Sequence, residues 1–290
     1  MGAPGGGSAA GDRSRPPRPH ALRRYGQNHL VDANILRVIV DQAAVGPDDV
    51  VLEVGAAGGL LTGPLVERAR LVHAFEIDRR WLPRLEKLAA GEPRLVVHAG
   101  DALKVDLTAL DPAPTAVVAN LAYNIAIPLI MTTIAELPSV RRWSVMVQRE
   151  LGERLFAKPS TKAYSAVSVL TQLACRLVKA RPVPATAFRP RPRVESSFLT
   201  FERRDAEEAV NPEEYASVSR LVRLAFGQRR KTLVNSLSGA AHAGVILSRE
   251  DVRAALRELG LGDAARPEEL APSRWLMFAA ELGRPQAERA

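Results

Sequence analysis

The sequence lacks several features that define whole classes of protein. It has one cysteine, Cys175, which excludes an intrachain disulfide framework and a metal site built from clustered cysteines, and indicates a reducing compartment. No apolar run approaches the roughly 18 residues of a membrane span. The hydrophobic fraction of 47% and the charged fraction of 25% are ordinary for a globular protein. We therefore expect a soluble, cytoplasmic protein that contacts no membrane.

Positive charge is in excess, and the excess is local. The chain has 40 basic and 32 acidic residues, a net charge of +8. The net charge is +4 over residues 1–24, −5 over 25–140, +9 over 141–206 and zero over 207–290. Arginine accounts for 34 of the basic residues, and it binds phosphate and stacks on bases. A GC-rich genome would also explain the arginine, so charge alone leaves the partner open.

Short apolar runs alternate with helical patterns through the first two thirds of the chain. We predict a helix over 28–44, strands over 50–54, 71–77, 95–98, 115–119, 143–147 and 197–202, and helices between the strands. Residues 167–183 fit either two strands or a helix and a strand. This alternation indicates an α/β fold, a parallel sheet with helices on both faces. The closing strands lack helical spacers, which suggests an antiparallel edge.

Composition divides the chain into three regions. Residues 1–20 are rich in Gly, Ala, Pro and Arg, lack the apolar segment of a secretory signal, and are predicted to be disordered. Residues 21–205 are predicted to form the α/β domain. Residues 206–290 are predicted to form a small all-α C-terminal domain, with one long helix over 218–237.

Three successive strand ends carry groups suited to a nucleoside. Gly55, Gly58 and Gly59 follow the first strand of the sheet and would let a ligand approach the backbone, although their spacing is not that of a dinucleotide site. Glu76 ends the second strand, where a carboxylate can accept both ribose hydroxyls. Asp101 ends the third, where an adenine amino group could donate to it. Each position also has a purely structural explanation: Gly55 would form a plain turn, and Glu76 and Asp101 would be helix N-caps.

These positions belong to a series of motifs. In chain order they are Gly26-Gln-Asn-His-Leu30, the glycine turn, Glu76-Ile-Asp78, Gly100-Asp101-Ala-Leu103, Asn120-Leu-Ala-Tyr-Asn124, Gln148-Arg-Glu150, Lys162-Ala-Tyr164, Phe188-Arg-Pro-Arg-Pro-Arg-Val-Glu-Ser196 and Gln228-Arg-Arg-Lys231. The series resembles the bacterial small-subunit rRNA adenine N6,N6-dimethyltransferases, the methylases linked to kasugamycin sensitivity, over residues 24 to about 240.

The resemblance implies a Rossmann-like fold and an activity that depends on S-adenosylmethionine. Members of that family dimethylate two adjacent adenosines in the hairpin loop near the 3′ end of small-subunit (16S) rRNA and act in small-subunit biogenesis. The expected partner is therefore small-subunit rRNA within a pre-ribosomal particle. We expect a monomer and no metal.

The resemblance also implies roles for individual residues. The cofactor would be held by Asn28 and Leu30 on the N-terminal helix, and by Gly55, Glu76, Asp101 and Asn120. Catalysis would fall to Asn120, Leu121 and Tyr123. The Asn120 side-chain oxygen and the backbone carbonyl after it would accept hydrogen bonds from the adenine amino group. Tyr123 would stack on one face of the flipped base and Phe188 on the other, unless both are ordinary core aromatics.

Two groups of basic residues are candidate RNA contacts. Arg189, Arg191 and Arg193 alternate with prolines and are predicted to lie on an extended segment beside Phe188. Arg229, Arg230 and Lys231 are predicted to lie on the long C-terminal helix. A solvated charged face would explain either group without RNA.

Departures from the family pattern leave alternatives open. Ala122 stands where the family usually has Pro, Ala56 and Ala57 where it has Pro-Gly, and His29 where it has Phe. We expect activity to be retained. One alternative is a large-subunit rRNA adenine methylase of the antibiotic-resistance type, and another is a ribosome assembly factor without catalytic activity.

Overall fold

The computed structural model describes residues 28–205, 207–228 and 230–284. Its strands are β1 (His29–Leu30), β2 (Val50–Val54), β3 (Leu71–Glu76), β4 (Leu95–Ala99), β5 (Ala116–Asn120), β6 (Arg142–Gln148), β7 (Cys175–Val183), β8 (Phe188–Arg189), β9 (Ser196–Arg203), β10 (Ala241–His242) and β11 (Val245–Ile246). Its helices are α1 (Ala33–Ala43), α2 (Thr62–Val66), α3 (Leu82–Ala89), α4 (Ala126–Glu136), α5 (Arg149–Leu155), α6 (Ala166–Ala174), α7 (Pro212–Phe226), α8 (Leu233–Leu237), α9 (Arg249–Glu258) and α10 (Pro272–Gly283). The predicted disorder of residues 1–20 lies outside the described residues.

Seven strands form one sheet in the order β4-β3-β2-β5-β6-β9-β7. The first five are parallel to one another, and β9 is antiparallel to both β6 and β7. The α/β sheet and its antiparallel edge are therefore confirmed. The chain order reverses between β2 and β5, and in such sheets ligands bind beyond the carboxyl ends of the strands at the reversal.

The sheet is buried on both faces because its strands are apolar runs. All five residues of β2 are buried. Leu52 and Val54 pack in the cluster on one face of the sheet, and Val51 packs in the cluster on the other. The first cluster continues through α4 and α6 into the C-terminal helices, where it includes Val222 and Phe278. The helical region is thus packed on the sheet through one continuous core.

The N-terminal helix begins later than the sequence predicts. The Asp32 carboxylate accepts hydrogen bonds from the N–H groups of Asn34 and Ile35, at 2.9 and 3.0 Å, and caps α1 at Ala33. Asn28 and Leu30, predicted on the helix, precede it on an extended segment. Its short strand β1 pairs with β8, a partner far away in sequence that helical periodicity cannot reveal.

The single helix predicted over 218–237 is two helices. Helix α7 ends at Phe226, before Gly227, and the Thr232 side chain accepts a hydrogen bond from the Asn235 N–H at 3.4 Å to begin α8. Glycine disfavours a helix interior by about 1 kcal/mol and threonine favours an N-cap. Gln228, Arg230 and Lys231 therefore lie between the two helices, and the predicted helical placement of Arg230 and Lys231 is wrong.

The C-terminal region also contains a small hairpin where only helices were predicted. Strands β10 and β11 pair antiparallel around Ala243 and Gly244, whose φ angles are 48° and 81°. Two positive φ angles in sequence form the tight turn that suits a two-residue hairpin loop. Strands of two residues are too short to give an alternating pattern.

Earlier in the chain, residues 167–183, which fitted either two strands or a helix and a strand, form helix α6 followed by strand β7.

Candidate active site

The carboxyl ends of β2, β3, β4 and β5 meet around one cavity. Its volume is about 160 Å³. The residues predicted to act together line it: Asn28, Gly55, Glu76, Asp101, Asn120, Leu121, Tyr123 and Phe188. Leu30 lies instead in the wall of a larger neighbouring cavity. The fold thus gathers residues from four strand ends, the N-terminal segment and the start of β8.

The glycine turn keeps the backbone close to β5. Gly55 has a φ of 83°. Its N–H and that of Ala56 donate to the Phe75 carbonyl at 2.9 and 3.1 Å. A Cβ at Gly55 would lie 3.7 Å from the carbonyl oxygen of Asn120. Glycine therefore permits the left-handed turn and leaves its cavity side open to a ligand.

Glu76 is held in place by backbone donors. The N–H of Ala57 donates to one carboxylate oxygen at 2.6 Å, and the N–H of Asp78 donates to the other at 2.7 Å. Burial raises the pKa of Glu76, and these two donors act in the opposite direction. A carboxylate has about four lone-pair sites, so Glu76 can accept further hydrogen bonds in a fixed orientation.

Asp101 has a local contact of its own. One of its oxygens accepts a hydrogen bond from the Leu103 N–H at 3.1 Å, and the Lys104 ammonium lies 4.0 Å from the other oxygen. This is a turn contact, because no helix begins there. It uses only part of the accepting capacity of the carboxylate, so the residue can still take a donor from the cavity.

The amide of Asn120 is oriented by the N-terminal segment. Its Nδ2 donates to the Asn28 backbone carbonyl at 3.0 Å. The side-chain oxygen is therefore the acceptor that remains for a ligand. The carbonyl of Ala122 accepts from the N–H groups of Ile125 and Ala126 at the start of α4, at 3.1 and 3.2 Å. Because the Ala122 carbonyl is engaged in this way, the Leu121 carbonyl is the candidate backbone acceptor for a ligand.

The two aromatic residues of the predicted base site line the same cavity but differ in exposure. Tyr123 is partly exposed in the loop before α4. Phe188 is only 1% exposed and packs with Leu30, Met146 and Phe198. Phe188 is therefore a core residue whose ring also forms part of the cavity wall. Base stacking by either ring stays a prediction.

The larger cavity adjoins the first at Gly55 and Asn120 and has a volume of about 580 Å³. Glu53 and Trp81 line it, and neither had a role in the sequence interpretation. Burial raises the pKa of Glu53 to about 8, the Thr62 hydroxyl lowers it, and Glu76 raises it further. The signal available in the sequence was a carboxylate inside a buried apolar strand.

The arginines after Phe188 are on the surface. Arg189, Arg191 and Arg193 are exposed, and Arg189 also lines the larger cavity. Strand β8 ends at Arg189, so of the three arginines only Arg189 lies on a strand. Arg230 and Lys231 are exposed and line neither of these two cavities. Arg229 lies outside the described residues.

The described residues contain neither a group of metal ligands nor a membrane-spanning helix. No three His, Cys, Asp or Glu residues among residues 28–205, 207–228 and 230–284 are grouped as metal ligands. In the same ranges, no helix has the length and apolar character needed to span a bilayer.

Sequence comparison points to RNA modification. A family model described as Ribosomal RNA adenine dimethylase matches residues 20–273. A Ribosomal RNA small subunit methyltransferase A from Rubrobacter xylanophilus is 44% identical over 259 residues, which cover 89% of this chain and 93% of that protein. A protein of the same name from Prochlorococcus marinus is 37% identical over 272 residues, covering 91% and 95%.

Solved structures share the fold. A dimethyladenosine transferase from Plasmodium falciparum superposes with a TM-score of 0.72 at 26% identity, covering 86% of this chain and 95% of that one. The 23S rRNA methyltransferase ErmE superposes with a TM-score of 0.65 at 27% identity, covering 89% and 100%. The expected Rossmann-like methyltransferase sheet, with a helical C-terminal region, is confirmed.

Proposed function

Because this chain belongs to the ribosomal RNA adenine dimethylase family, we propose that it dimethylates the N6 atoms of two adjacent adenosines in the 3′-terminal hairpin loop of small-subunit (16S) rRNA. S-adenosylmethionine is the proposed methyl donor. The observation that carries the proposal is the convergence of Gly55, Glu76, Asp101 and Asn120 on one cavity at the strand-order reversal.

The residues of the cavity fit the nucleoside part of this cofactor. Glu76, fixed by two backbone N–H groups, would accept the ribose hydroxyls. Asp101 would accept from the adenine amino group, and Gly55 would let the ligand pass close to the backbone. Asn28 would act by orienting Asn120. Leu30 would contribute through the larger cavity, which continues beyond Gly55.

Asn120 and Leu121 supply the acceptors that the chemistry requires. The adenine amino nitrogen is a poor nucleophile because its lone pair is delocalised into the ring. Hydrogen bonds from its N–H groups to the Asn120 side-chain oxygen and the Leu121 carbonyl would localise that lone pair. This is preorganised electrostatic stabilisation, and no strong base is needed. When bound, S-adenosylmethionine would supply the methyl group: the C–S bond would break as the C–N bond forms, S-adenosylhomocysteine would leave, and one N6 proton would pass to water.

The target base must leave its hairpin loop to reach these acceptors. Tyr123 would stack on one face of the base, and the Phe188 ring, in the cavity wall, would contact the other face. Arg189, Arg191 and Arg193 would bind phosphates outside the cavity and position the strand, while the cavity selects the base. We propose that the RNA is presented in a pre-ribosomal particle and that the enzyme acts as a cytoplasmic monomer.

A large-subunit adenosine is the second candidate target. The fold shared with ErmE supports it. The curated relatives, at 44% and 37% identity, are named for the small subunit and favour the first proposal. A non-catalytic role is disfavoured because Ala122, which replaces a proline, still anchors its loop through two hydrogen bonds to the start of α4.

Radiolabelled methyl transfer to unmethylated small subunits, compared with large subunits, tests the proposal. We expect label in small subunits only, at two adjacent N6 atoms when the sites are mapped. Asn120→Ala should lower the rate about 100-fold or more, as loss of an oriented acceptor does. The matched control Asn34→Ala, at an exposed position of α1, should keep the rate. Label in large subunits would support the second candidate, and no label would support the assembly factor.

A further inference from the structure

Ser196 is a buried serine to which the proposed mechanism gives no role. It is the first residue of β9, is 2% exposed and lines the smaller cavity. Within the described part of the chain, its hydroxyl forms no hydrogen bond with another residue. A hydroxyl has one donor and two acceptor lone pairs, and buried side-chain polar atoms nearly always have a partner. A ligand in the cavity is therefore the partner available to it.

The strand pairing shows to which face of the sheet the Ser196 side chain points. Asn120 on β5 pairs with Met146 on β6, and Met146 pairs with Phe198 on β9. Directly paired residues of neighbouring strands carry their side chains on the same face of a sheet, and residues two apart in one strand also share a face. Ser196, two residues before Phe198, therefore points to the face that carries the Asn120 amide.

The next residue, Ser197, faces the opposite side, because adjacent residues of a strand alternate between the two faces. Its hydroxyl donates to the Arg181 carbonyl at 3.2 Å. Ser197 is also buried, at 7% exposure, and is not part of the wall of this cavity. Two neighbouring serines thus begin β9, one with its hydroxyl bonded inside the sheet and the other facing the cavity.

Ser196 and Asn120 face the cavity from two strands that β6 separates. Neighbouring strands are about 4.8 Å apart, so β5 and β9 are roughly 10 Å apart, which leaves room for one purine between their side chains. In the proposed function the adenine amino group donates to Asn120 and Leu121. The two ring nitrogens beside that amino group, N1 and N7, are acceptors, and the proposed mechanism assigns no donor to either of them.

We propose that the Ser196 hydroxyl donates a hydrogen bond to a ring nitrogen beside the amino group of the flipped adenine, either N1 or N7. This inference rests on the proposed function and adds to it a residue that binds the target base. Tyr123 and Phe188 hold the plane of the ring, and the contact with Ser196 fixes its rotation within that plane. The amino nitrogen is then aligned for displacement. Loss of the contact weakens substrate binding more than it slows the bound substrate.

Methyl transfer to small subunits with altered target adenosines tests this contact. The substrates are unmethylated subunits reconstituted with rRNA that carries adenosine, 1-deazaadenosine or 7-deazaadenosine at both target positions, so that C–H replaces one ring nitrogen at a time. With the unaltered protein, one of the two replacements should raise KM about 3- to 10-fold, the effect of one neutral hydrogen bond, and change kcat less. Ser196→Ala should raise KM for adenosine by a similar factor and be insensitive to that same replacement.

Ser197→Ala is the matched control, because it removes a hydroxyl from the adjacent position on the other face of the sheet. It should keep both the KM of the unaltered protein and its sensitivity to the deaza replacement. Neither serine is assigned to the cofactor. Both variants should therefore bind S-adenosylhomocysteine in calorimetry as tightly as the unaltered protein does, a measurement that a distorted cavity would change.

Three results would contradict the contact. Tolerance of both deaza replacements by the unaltered protein would show that no donor binds either ring nitrogen, and this result requires no variant. Undiminished sensitivity of Ser196→Ala to the replacement would assign the donor to another group, and an equal rise in KM for Ser197→Ala would assign the effect to the strand end. If the unaltered protein transfers no methyl group to subunits that carry adenosine, the proposed function itself fails together with the inference.

Discussion

In the glycine turn, hydrogen bonds made by single residues hold the backbone that a proline would be expected to stiffen. Ala56 and Ala57 stand where the resemblance leads us to expect Pro-Gly. Their N–H groups donate to the Phe75 carbonyl and to the Glu76 carboxylate, so hydrogen bonds hold the turn. Ala57 has a φ of 46°, a conformation that costs roughly 1 kcal/mol or more for a residue with a Cβ. The turn is therefore maintained at some cost in free energy, next to the proposed cofactor.

Gly58 is required for a different reason, which is contact with Trp81. A Cβ at Gly58 would lie 2.8 Å from Cζ3 of Trp81, whose ring is 3% exposed. Gly58→Ala should therefore lower the free energy of unfolding by about 1–3 kcal/mol, the usual cost of overpacking. Urea denaturation measures this. Gly63→Ala is the control, because no atom lies within 4 Å of its added Cβ. Equal stability of the two variants would show that the Trp81 ring yields freely.

At the scale of elements, β3 and β4 are joined by a pair of histidines as well as by their ladder. His73 Nε2 lies 3.0 Å from the Pro112 carbonyl oxygen and must donate to it. In neutral His73 the Nδ1 atom is then an acceptor, and His98 Nε2, 3.1 Å away, donates to it. His98 also stacks on Phe75, with ring centroids 4.4 Å apart. The pair therefore adds a side-chain contact between β3 and β4 at this edge of the sheet.

The histidine pair should make stability depend on pH. Partial burial, and secondarily the charge of His73, lower the pKa of His98 below its usual 6.5. The unfolded chain then binds more protons than the folded chain, so stability is complete above about pH 6.5 and falls as the pH decreases below it. Urea denaturation between pH 7.5 and 5 should show this loss. His98→Gln, which keeps an N–H donor, should show a smaller loss; an identical pH slope would assign the effect elsewhere.

The segment that follows β8 should carry part of the RNA affinity. Each phosphate contact contributes about 0.7 to the salt slope for single-stranded RNA. Replacing Arg189, Arg191 and Arg193 by Ala should therefore reduce the slope of log K against log salt by about 2 in filter-binding measurements. The matched control replaces three exposed arginines from the opposite edge of the sheet: Arg68, Arg70 and Arg94. If both triple variants lowered the slope equally, the effect would be one of net charge.

At the scale of the molecule, one apolar core joins the sheet to the C-terminal helices, and Tyr164 adds a polar link. Its hydroxyl donates to the Leu270 carbonyl at 2.8 Å, and both residues are buried. The Lys162-Ala-Tyr164 motif therefore has a structural role in addition to any contact with RNA. In the sequence, residues 141–206, with a net charge of +9, lie between residues 25–140, with a net charge of −5, and this neutral helical region.

Tyr164→Phe should lower the free energy of unfolding by about 1–3 kcal/mol, because it leaves the Leu270 carbonyl buried without its partner. Tyr215→Phe is the matched comparison, since its hydroxyl makes a longer bond of 3.3 Å to the Leu170 carbonyl and its loss should cost less. Circular dichroism and tryptophan fluorescence should report a single coincident transition for each protein. Separate transitions would contradict a shared core.

The order of the residues is enough to predict the sheet and the strand-end residues of the site. Buried parallel strands are continuous apolar runs, and the residues that follow them converge because parallel strands share a carboxyl edge. Gly55, Glu76 and Asp101 could therefore be placed without coordinates, and the family resemblance added Asn120. The local excess of charge over residues 141–206 was also evident from the order of the residues alone.

The features that depend on contacts between distant segments became visible only in the folded molecule. The pairing of β1 with β8 places Asn28 against Asn120, and no local pattern encodes that register. Helix α7 ends before Gly227 and α8 begins after Thr232, although the apolar periodicity continues across both residues. The environment of Glu53 likewise comes from elements remote in sequence. Burial and hydrogen bonding are set by what packs against a residue, so the charge and contacts of this group follow from the fold.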